Sequence, residues 1–178
     1  MREALAAEPS LAAGLVSPAP EVLMAPLVCP PLEVWEAEGL ELILEGFLLH
    51  HGRPRHLRLE GRGRQVLAGD YCYAQGLVRV AAAGDLYVIE ALADLIALGP
   101  GLVARGRRDG LAPLWLTTAA AIVHRRGGPG DDDLPLRFGV AKLSLRRDAD
   151  VEPLRALAGE LPGSAALEAA LQPEAVRS

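Results

Sequence analysis

The sequence has few aromatic residues and no long apolar run. Phe, Trp and Tyr together make up 4% of its 178 residues, although hydrophobic residues reach 51%. A core therefore has to be built mainly from leucine, alanine, valine and isoleucine. No uninterrupted apolar stretch approaches the ~20 residues of a membrane span, and the N-terminus does not follow the signal-peptide pattern. We expect a cytoplasmic protein without a membrane anchor.

Positive charge and cysteine are also scarce. Lys and Arg number 18 against 23 Asp and Glu, and Lys142 is the only lysine. A net charge of -5 argues against a nucleic-acid binder, because neutralising phosphates needs a surplus of cations. Cys29 and Cys72 have neither metal-ligand spacing nor partners for a disulfide framework. We expect both to be buried thiols.

The chain divides into three parts. Residues 1–32 predict a short helix, from Glu3 to Leu15 at most, followed by a proline-rich connector. Residues 33–150 show helical patterning and predict a helical bundle core. Residues 151–178 predict one or two short helices and a tail.

Within the core part, helices are separated by clear breaks. Apolar residues recur at three- and four-residue steps over 40–48 and again over 86–96. Asp85 predicts the N-cap of the second of these helices, and Gly99-Pro100 predicts its end. Residues 134–140 alternate as a strand would, but a lone strand would have no partner, so helix is favoured there. The fold class predicted is all-α.

The helix over 65–83 is apolar on two sides. Such a helix must be covered on two sides, either inside a bundle or at a subunit interface. We expect the second face to be the one that a partner covers. The first face comprises Leu67, Tyr71, Ala74, Val78 and Ala81, and the second comprises Val66, Tyr73, Leu77 and Val80.

Histidines and aspartates offer weak candidates for metal binding. His50 and His51 are adjacent and would point about 100° apart on a helix, and His56 lies in the arginine-rich connector 53–64. We expect this connector to be too polar for the core, and we expect His50, His51 and His56 to be solvated. The run Asp131–Asp133 is interpreted as the N-terminal cap of the following helix.

One run of the sequence resembles a known family. Gln65-Val-Leu-Ala-Gly-Asp-Tyr-Cys-Tyr-Ala-Gln75 is similar to the segment V-L-A-G-D-Y-L-x-A-x that opens a central helix in trans-polyprenyl diphosphate synthases. Gly84-Asp85 resembles the turn that follows, and Leu116–Ala120 resembles the K-T-(A/G)-x-L helix with leucine in place of lysine. The resemblance covers roughly residues 20–150 and implies a truncated isoprenoid-synthase-like helical bundle.

The residues that such enzymes use for chemistry are replaced here. The family holds Mg²⁺ with two aspartate-rich motifs, and the ions stabilise the leaving diphosphate. At the first motif this sequence reads Leu49-His50-His51-Gly52, and at the second Leu145-Arg-Arg-Asp-Ala-Asp150. Glu21-Val-Leu-Met-Ala-Pro26 stands where the family grips isopentenyl diphosphate with basic residues. The resemblance therefore implies a chain that is not an enzyme on its own.

What the resemblance implies is the small, non-catalytic subunit of a hexaprenyl or heptaprenyl diphosphate synthase. Such a subunit pairs with a catalytic polyprenyl diphosphate synthase subunit, helps set product length and serves quinone side-chain synthesis. This chain would bind no cofactor, Mg²⁺ would belong to the catalytic partner, and the apolar prenyl chain is a further candidate contact. The expected interface and product-length residues are Val66, Asp70, Tyr71, Cys72, Tyr73, Gln75, Leu77 and Val80.

Two other functions stay open at this stage. The first is a stand-alone helical module that binds an isoprenoid or lipid without catalysis. The second, less favoured, is a weakly active enzyme that holds Mg²⁺ with Asp131, Asp132, Asp148 and Asp150.

Overall fold

A computed structural model describes residues 1–29, 31–127, 133–162 and 165–172. These ranges contain nine α-helices and no strand, which confirms the all-α prediction. The helices are α1 (Arg2–Ala6), α2 (Pro9–Ala12), α3 (Val34–His51), α4 (Arg62–Ala81), α5 (Leu86–Ala104), α6 (Leu111–His124), α7 (Leu134–Asp148), α8 (Glu152–Gly159) and α9 (Ala165–Leu171), with a 3-10 turn at Arg108–Gly110 before α6.

The centre of the fold is a close contact between α3 and α4. Each helix carries two glycines seven residues apart, Gly39 and Gly46 on α3 and Gly69 and Gly76 on α4. A Cβ added to Gly76 would lie 2.9 Å from the carbonyl oxygen of Gly39, and one added to Gly46 would lie 2.9 Å from that of Gly69. The two helices are therefore antiparallel, and their backbones meet at both glycine pairs.

This contact predicts a large effect for the substitution Gly76→Ala. The new methyl group would also lie 2.6 Å from Cγ1 of Ile43, so the helices would have to separate. We expect unfolding to become easier by about 2–3 kcal/mol, despite the gain of up to ~1 kcal/mol in helix propensity. Urea unfolding followed by circular dichroism measures the change.

Gly63→Ala is the matched control on the same helix. Nothing lies within 4 Å of the position that its Cβ would take. The control should be neutral or stabilise the fold by up to ~1 kcal/mol. Equal stability of the two variants would show that α3 and α4 do not need the glycine contact.

The other helices enclose this pair. α5 packs against α3 and α4 on one side and α6 on the other, and α6 also packs against α7, α8 and α9. Nearly every residue of α6 is buried, including Trp115, whose ring meets the ring of Phe47 edge-on at 6.2 Å. α8 and α9 are the short helices expected after residue 151, and they add Leu154 and Leu167 to the same core. Residues 173–178 lie outside the described part of the chain.

The predicted end of α5 at Gly99-Pro100 is wrong. The helix continues through Pro100 to Ala104. Pro100 cannot donate a hydrogen bond to the preceding turn, but continuation places Leu102 in the core, where it is almost fully buried. Gly99 also allows close packing, because a Cβ there would lie 3.1 Å from the Phe47 ring. Burial of the last turn outweighs the local cost of the proline.

The N-terminal helix expected from Glu3 to Leu15 is two short helices instead. Pro9 occupies the first turn of α2, where its missing N–H is harmless, and Glu8 caps that helix by accepting from the N–H of Ser10 at 3.2 Å. The following residues join the bundle through an isolated bridge between Leu15 and Leu57. The N-terminal part is thus tied to the connector between α3 and α4.

The expectation that this connector is solvated holds for Arg53, Arg58 and residues 60–64, which are exposed, but is wrong at its centre. Leu57 is fully buried, and so is nearly all of His56. Glu45, buried inside α3, accepts the backbone N–H groups of Arg55, His56 and Leu57, each at 2.9 Å. One carboxylate therefore fixes three consecutive residues of an otherwise polar segment against the core.

Glu41, one turn earlier on α3, holds two further segments. One carboxylate oxygen accepts the backbone N–H groups of Leu23 and Met24, and the other meets the Arg55 guanidinium at 2.7 Å and His56 Nε2 at 3.1 Å. Burial by itself would raise the pKa of Glu41, but these hydrogen bonds and the charge of Arg55 lower it overall. Burial raises the pKa of Glu45 despite its three hydrogen bonds.

Removing the charge of Glu41 should cost stability in a pH-dependent way. Glu41→Gln leaves Arg55 and His56 without a buried anion, and we expect a loss of about 2–4 kcal/mol at pH 7. Since the pKa of folded Glu41 is lowered, its contribution is present above the ordinary carboxyl pKa and is lost as pH falls through the lowered value. Urea unfolding at pH 7, 5 and 3 should show the gap to wild type closing.

The exposed residue Glu60 offers the control. Glu60→Gln should change stability by no more than about 0.5 kcal/mol at any of these pH values. A gap between wild type and Glu41→Gln that stays constant from pH 7 to pH 3 would contradict the role given to the Glu41 carboxylate.

The helix favoured over a strand at residues 134–140 is confirmed as α7. Asp133 occupies its N-cap position, without a hydrogen bond from its side chain to the helix. Asp131 and Asp132 lie outside the described residues, so the capping interpretation of the triplet stays a prediction. Asp85, by contrast, caps α5 as predicted by accepting from the N–H groups of Tyr87 and Val88.

Candidate functional site

The structure reverses the expected roles of the two apolar faces of α4. Val80, on the face assigned to a partner, is fully buried against this chain's own α3, where it packs beside Gly39. Tyr73 and Leu77 are partly buried and pack on the same core. A charge placed at these positions would disturb the fold before it disturbed any partner.

The face expected to be internal is the exposed one. Leu67 has 70% of its surface exposed and Val78 has 62%, with the exposed Ala74 between them. These residues follow the spacing i, i+7, i+11, which aligns them along one side of the helix. α4 thus presents an apolar stripe with nothing from the described chain covering it.

α5 presents a second stripe with the same spacing. Leu86 is 79% exposed, and Ala93 and Ala97 are exposed as well. Since α4 and α5 pack against each other, the two stripes lie on neighbouring helices. The six residues Leu67, Ala74, Val78, Leu86, Ala93 and Ala97 are named the α4–α5 surface below.

α5 is unusually apolar for a helix with so much exposed surface. It is the one helix in the described ranges long and apolar enough to cross a membrane by length and composition, with a mean hydropathy of 1.7. Of its apolar residues, Leu86, Ala93, Ala97 and Ala104 are exposed, and the others are buried or half-buried. Its buried side carries Asp94, which pairs with Lys142 at 2.5 Å and with Arg146. These ion pairs attach α5 to α7 and leave its apolar stripe facing outward.

A polar cluster lies at the C-terminal end of α3. His50 Nε2 lies 3.2 Å from a carboxylate oxygen of Asp70, and the His50 ring stacks on the Tyr73 ring at a centroid distance of 5.3 Å. The last carbonyls of the helix are held by guanidinium groups: Arg62 donates to that of His50 and Arg108 to that of His51. Positive charge at a helix C-terminus is favourable because the exposed carbonyls are partly negative.

Burial and neighbouring charge shift two pKa values in this cluster. Burial lowers the pKa of His51, and nearby His50, Arg108 and Arg62 lower it further. Burial raises the pKa of Tyr73, helped by the Asp70 carboxylate. The histidines expected to be solvated are therefore packed side chains in the last turn of α3.

The remaining residues predicted as a site lie around α4 in different environments. Tyr71 is partly buried and donates from its hydroxyl to the carbonyl oxygen of Ala4 at 3.2 Å. Cys72 is fully buried, while Asp70 is exposed. Val66 and Gln75 are partly buried. The structure brings together Asp70 and Tyr73 through His50 but does not gather the eight predicted residues into one pocket.

The residues that sequence reasoning missed had a visible signal. Glu36, Glu41 and Glu45 interrupt an otherwise apolar helix, and carboxylates on a buried helix imply buried partners.

In the described part of the chain, no three His, Cys, Asp or Glu side chains lie close enough to share a metal ion. Comparisons of the chain with protein-family models, with curated proteins and with solved structures found no match.

The two cysteines should differ in reactivity. Cys29 is exposed, which corrects the expectation that both thiols are buried, whereas burial and then the Glu45 carboxylate raise the pKa of the Cys72 thiol. Only the thiolate attacks a disulfide reagent. We expect Ellman's reagent at pH 8 to titrate one thiol in the native protein and two in denaturant.

Cys29→Ser provides the control for this titration. Its native form should show no reactive thiol, and its denatured form should show one. Rapid native reaction of the Cys29→Ser variant would mean that α4 opens readily from the bundle and would contradict the burial of Cys72.

Proposed function

We propose that this chain is a non-catalytic subunit that pairs with a catalytic polyprenyl diphosphate synthase subunit through the α4–α5 surface. The complex would make long-chain prenyl diphosphates for quinone side chains, with this chain contributing to product length. The single observation that carries the pairing is the exposure of large apolar side chains on these two helices, 70% for Leu67, 62% for Val78 and 79% for Leu86. Exposed apolar helix surface of this kind is typical of subunit interfaces.

The chemistry of the α4–α5 surface supports a helix as the partner. Ala74, Ala93 and Ala97 are small, so a partner helix can approach closely, and Leu67 and Val78 can enter the grooves between its side chains. Asp70 and Glu90 are exposed on the same sides of the two helices, one turn after Leu67 and Leu86. Interfaces between proteins contain polar as well as apolar surface.

The identity of the partner rests on the resemblance of the run Gln65–Gln75. In that run Ala68 and Gly69 face α3, whereas Asp70 reaches the exposed side. The resemblance places Mg²⁺ beyond Leu49, and there the guanidinium groups of Arg62 and Arg108 donate to the backbone carbonyl oxygens of His50 and His51. Two guanidinium groups at that point would repel a divalent cation, which supports a role beside a catalytic subunit rather than in its place.

Substituting Val78 tests the pairing surface. Val78→Asp places a charge at the centre of the α4 stripe, and Val140→Asp is the matched control, a valine 57% exposed on α7. Each variant is mixed with a full-length polyprenyl diphosphate synthase from the same source. Co-elution and incorporation of labelled isopentenyl diphosphate into long products are measured. We expect Val78→Asp to weaken pairing at least about 30-fold, equivalent to ~2 kcal/mol, and the control to leave pairing unchanged.

Two outcomes would contradict this proposal in different ways. If both variants pair as well as wild type, the α4–α5 surface is not the interface. If the synthase is equally active alone and wild type forms no complex with it, the subunit function fails. The stand-alone isoprenoid- or lipid-binding module then takes its place.

A further inference from the structure

A crevice of about 330 Å³ lies between α2, the connector after α3 and the first half of α4. Its wall is apolar and is formed by Leu11, Leu59, Leu67, Ala68 and Tyr71. The volume is at the lower end of the range for small-molecule pockets, so it suits one short apolar chain and excludes a two-chain lipid. The crevice lies outside the main core, because α2 and the connector cover a separate apolar cluster.

The wall is held in place by contacts on both sides. The Tyr71 hydroxyl donates a hydrogen bond to the carbonyl oxygen of Ala4. The aromatic ring of Tyr71, and not its hydroxyl, therefore faces a ligand in the crevice. On the opposite side Gly14 accepts from the N–H of Arg58 at 2.7 Å, which ties the end of the N-terminal part to the connector. An apolar ligand would therefore enter a site that is already formed, without ordering new chain.

The rim carries one available cation. Arg64 is exposed at the crevice, and within the described ranges its guanidinium forms no ion pair. Glu8 also lines the crevice, and its carboxylate accepts from the backbone N–H of Ser10 at 3.2 Å and from its hydroxyl at 2.8 Å. These hydrogen bonds orient the carboxylate but leave its negative charge, so only the Arg64 side of the rim favours an anion. An anionic head group beside Arg64 would gain a charge-assisted hydrogen bond that a neutral head group would not.

We propose that this crevice binds a soluble single-chain amphiphile with an anionic head, of the class of medium-chain fatty carboxylates. The chain lies along the leucines and Tyr71, and the carboxylate meets Arg64. This site does not depend on the proposed function. Its ligand contacts α2 and the start of α4, whereas the subunit proposal rests mainly on Ala74 and Val78 and on α5. Leu67 alone belongs to both the crevice wall and the α4–α5 surface.

Calorimetric titration of the full chain tests the site. The probe is sodium decanoate below its micelle concentration, and decanol is the neutral ligand of equal chain length. We expect one decanoate per chain, with binding weakened about tenfold by Arg64→Gln and unchanged by Arg147→Gln, an exposed arginine that does not line the crevice. Decanol should bind about tenfold more weakly than decanoate.

A second measurement locates the ligand. Amide resonances of Ala68 and Tyr71 should shift on titration with decanoate, while those of Val78 and Ala93 should not. The proposal is overturned if decanoate fails to bind at millimolar concentration, if decanol binds equally well, or if both arginine variants behave alike. Shifts confined to Val78 and Ala93 would also overturn it. The proposal would be overturned as well if the chain bound phosphatidylcholine vesicles containing phosphatidylglycerol but did not bind free decanoate.

Discussion

The backbone contact between α3 and α4 is the constraint on which the other elements depend. Four glycines allow it, and in each pair a carbonyl oxygen lies 2.9 Å from the position that a Cβ would take. Because the two helices meet so closely, α3 covers the inward side of α4. The side chains of Tyr73 and Val80 fill the space beside the contact. Among the described residues, the opposite side of α4 has no such neighbour, and this is why its apolar stripe stays exposed.

Buried carboxylates on α3 organise what surrounds this pair. Glu41 and Glu45 hold the connector and residues 23–24 through backbone N–H groups. The Glu36 carboxylate forms ion pairs with the guanidinium groups of Arg125 at 2.7 Å and Arg126 at 2.6 Å, which follow the end of α6. Asp94 on α5 likewise forms ion pairs with Lys142 and Arg146 on α7 and so joins these two helices. In a core poor in aromatic residues, charge-assisted hydrogen bonds thus position loops and helix ends that apolar packing alone would leave loosely defined.

The functional argument follows from the same geometry. A helix as apolar as α5 is expected to be enclosed, yet its ion pairs to α7 hold one side inward and turn Leu86, Ala93 and Ala97 outward. The exposed α4–α5 surface, together with the run Gln65–Gln75 that resembles prenyl diphosphate synthases, supports the proposal of a partner subunit. The crevice at Arg64 is a different kind of feature, since its wall is formed entirely by residues of this chain.

Periodicity alone was enough to predict the helical class, the Asp85 cap and α7, because apolar spacing and capping are local properties of the chain. Local pattern could not say which face of α4 would be buried, since both faces are apolar and only the glycine contact with α3 distinguishes them. It also placed the end of α5 at Pro100 and His56 in solvent, because burial of Leu102 and the carboxylate of Glu41 act from distant positions. The sequence by itself therefore determined the helices, and tertiary packing decided which surfaces remain free, because burial depends on neighbours far apart in the chain.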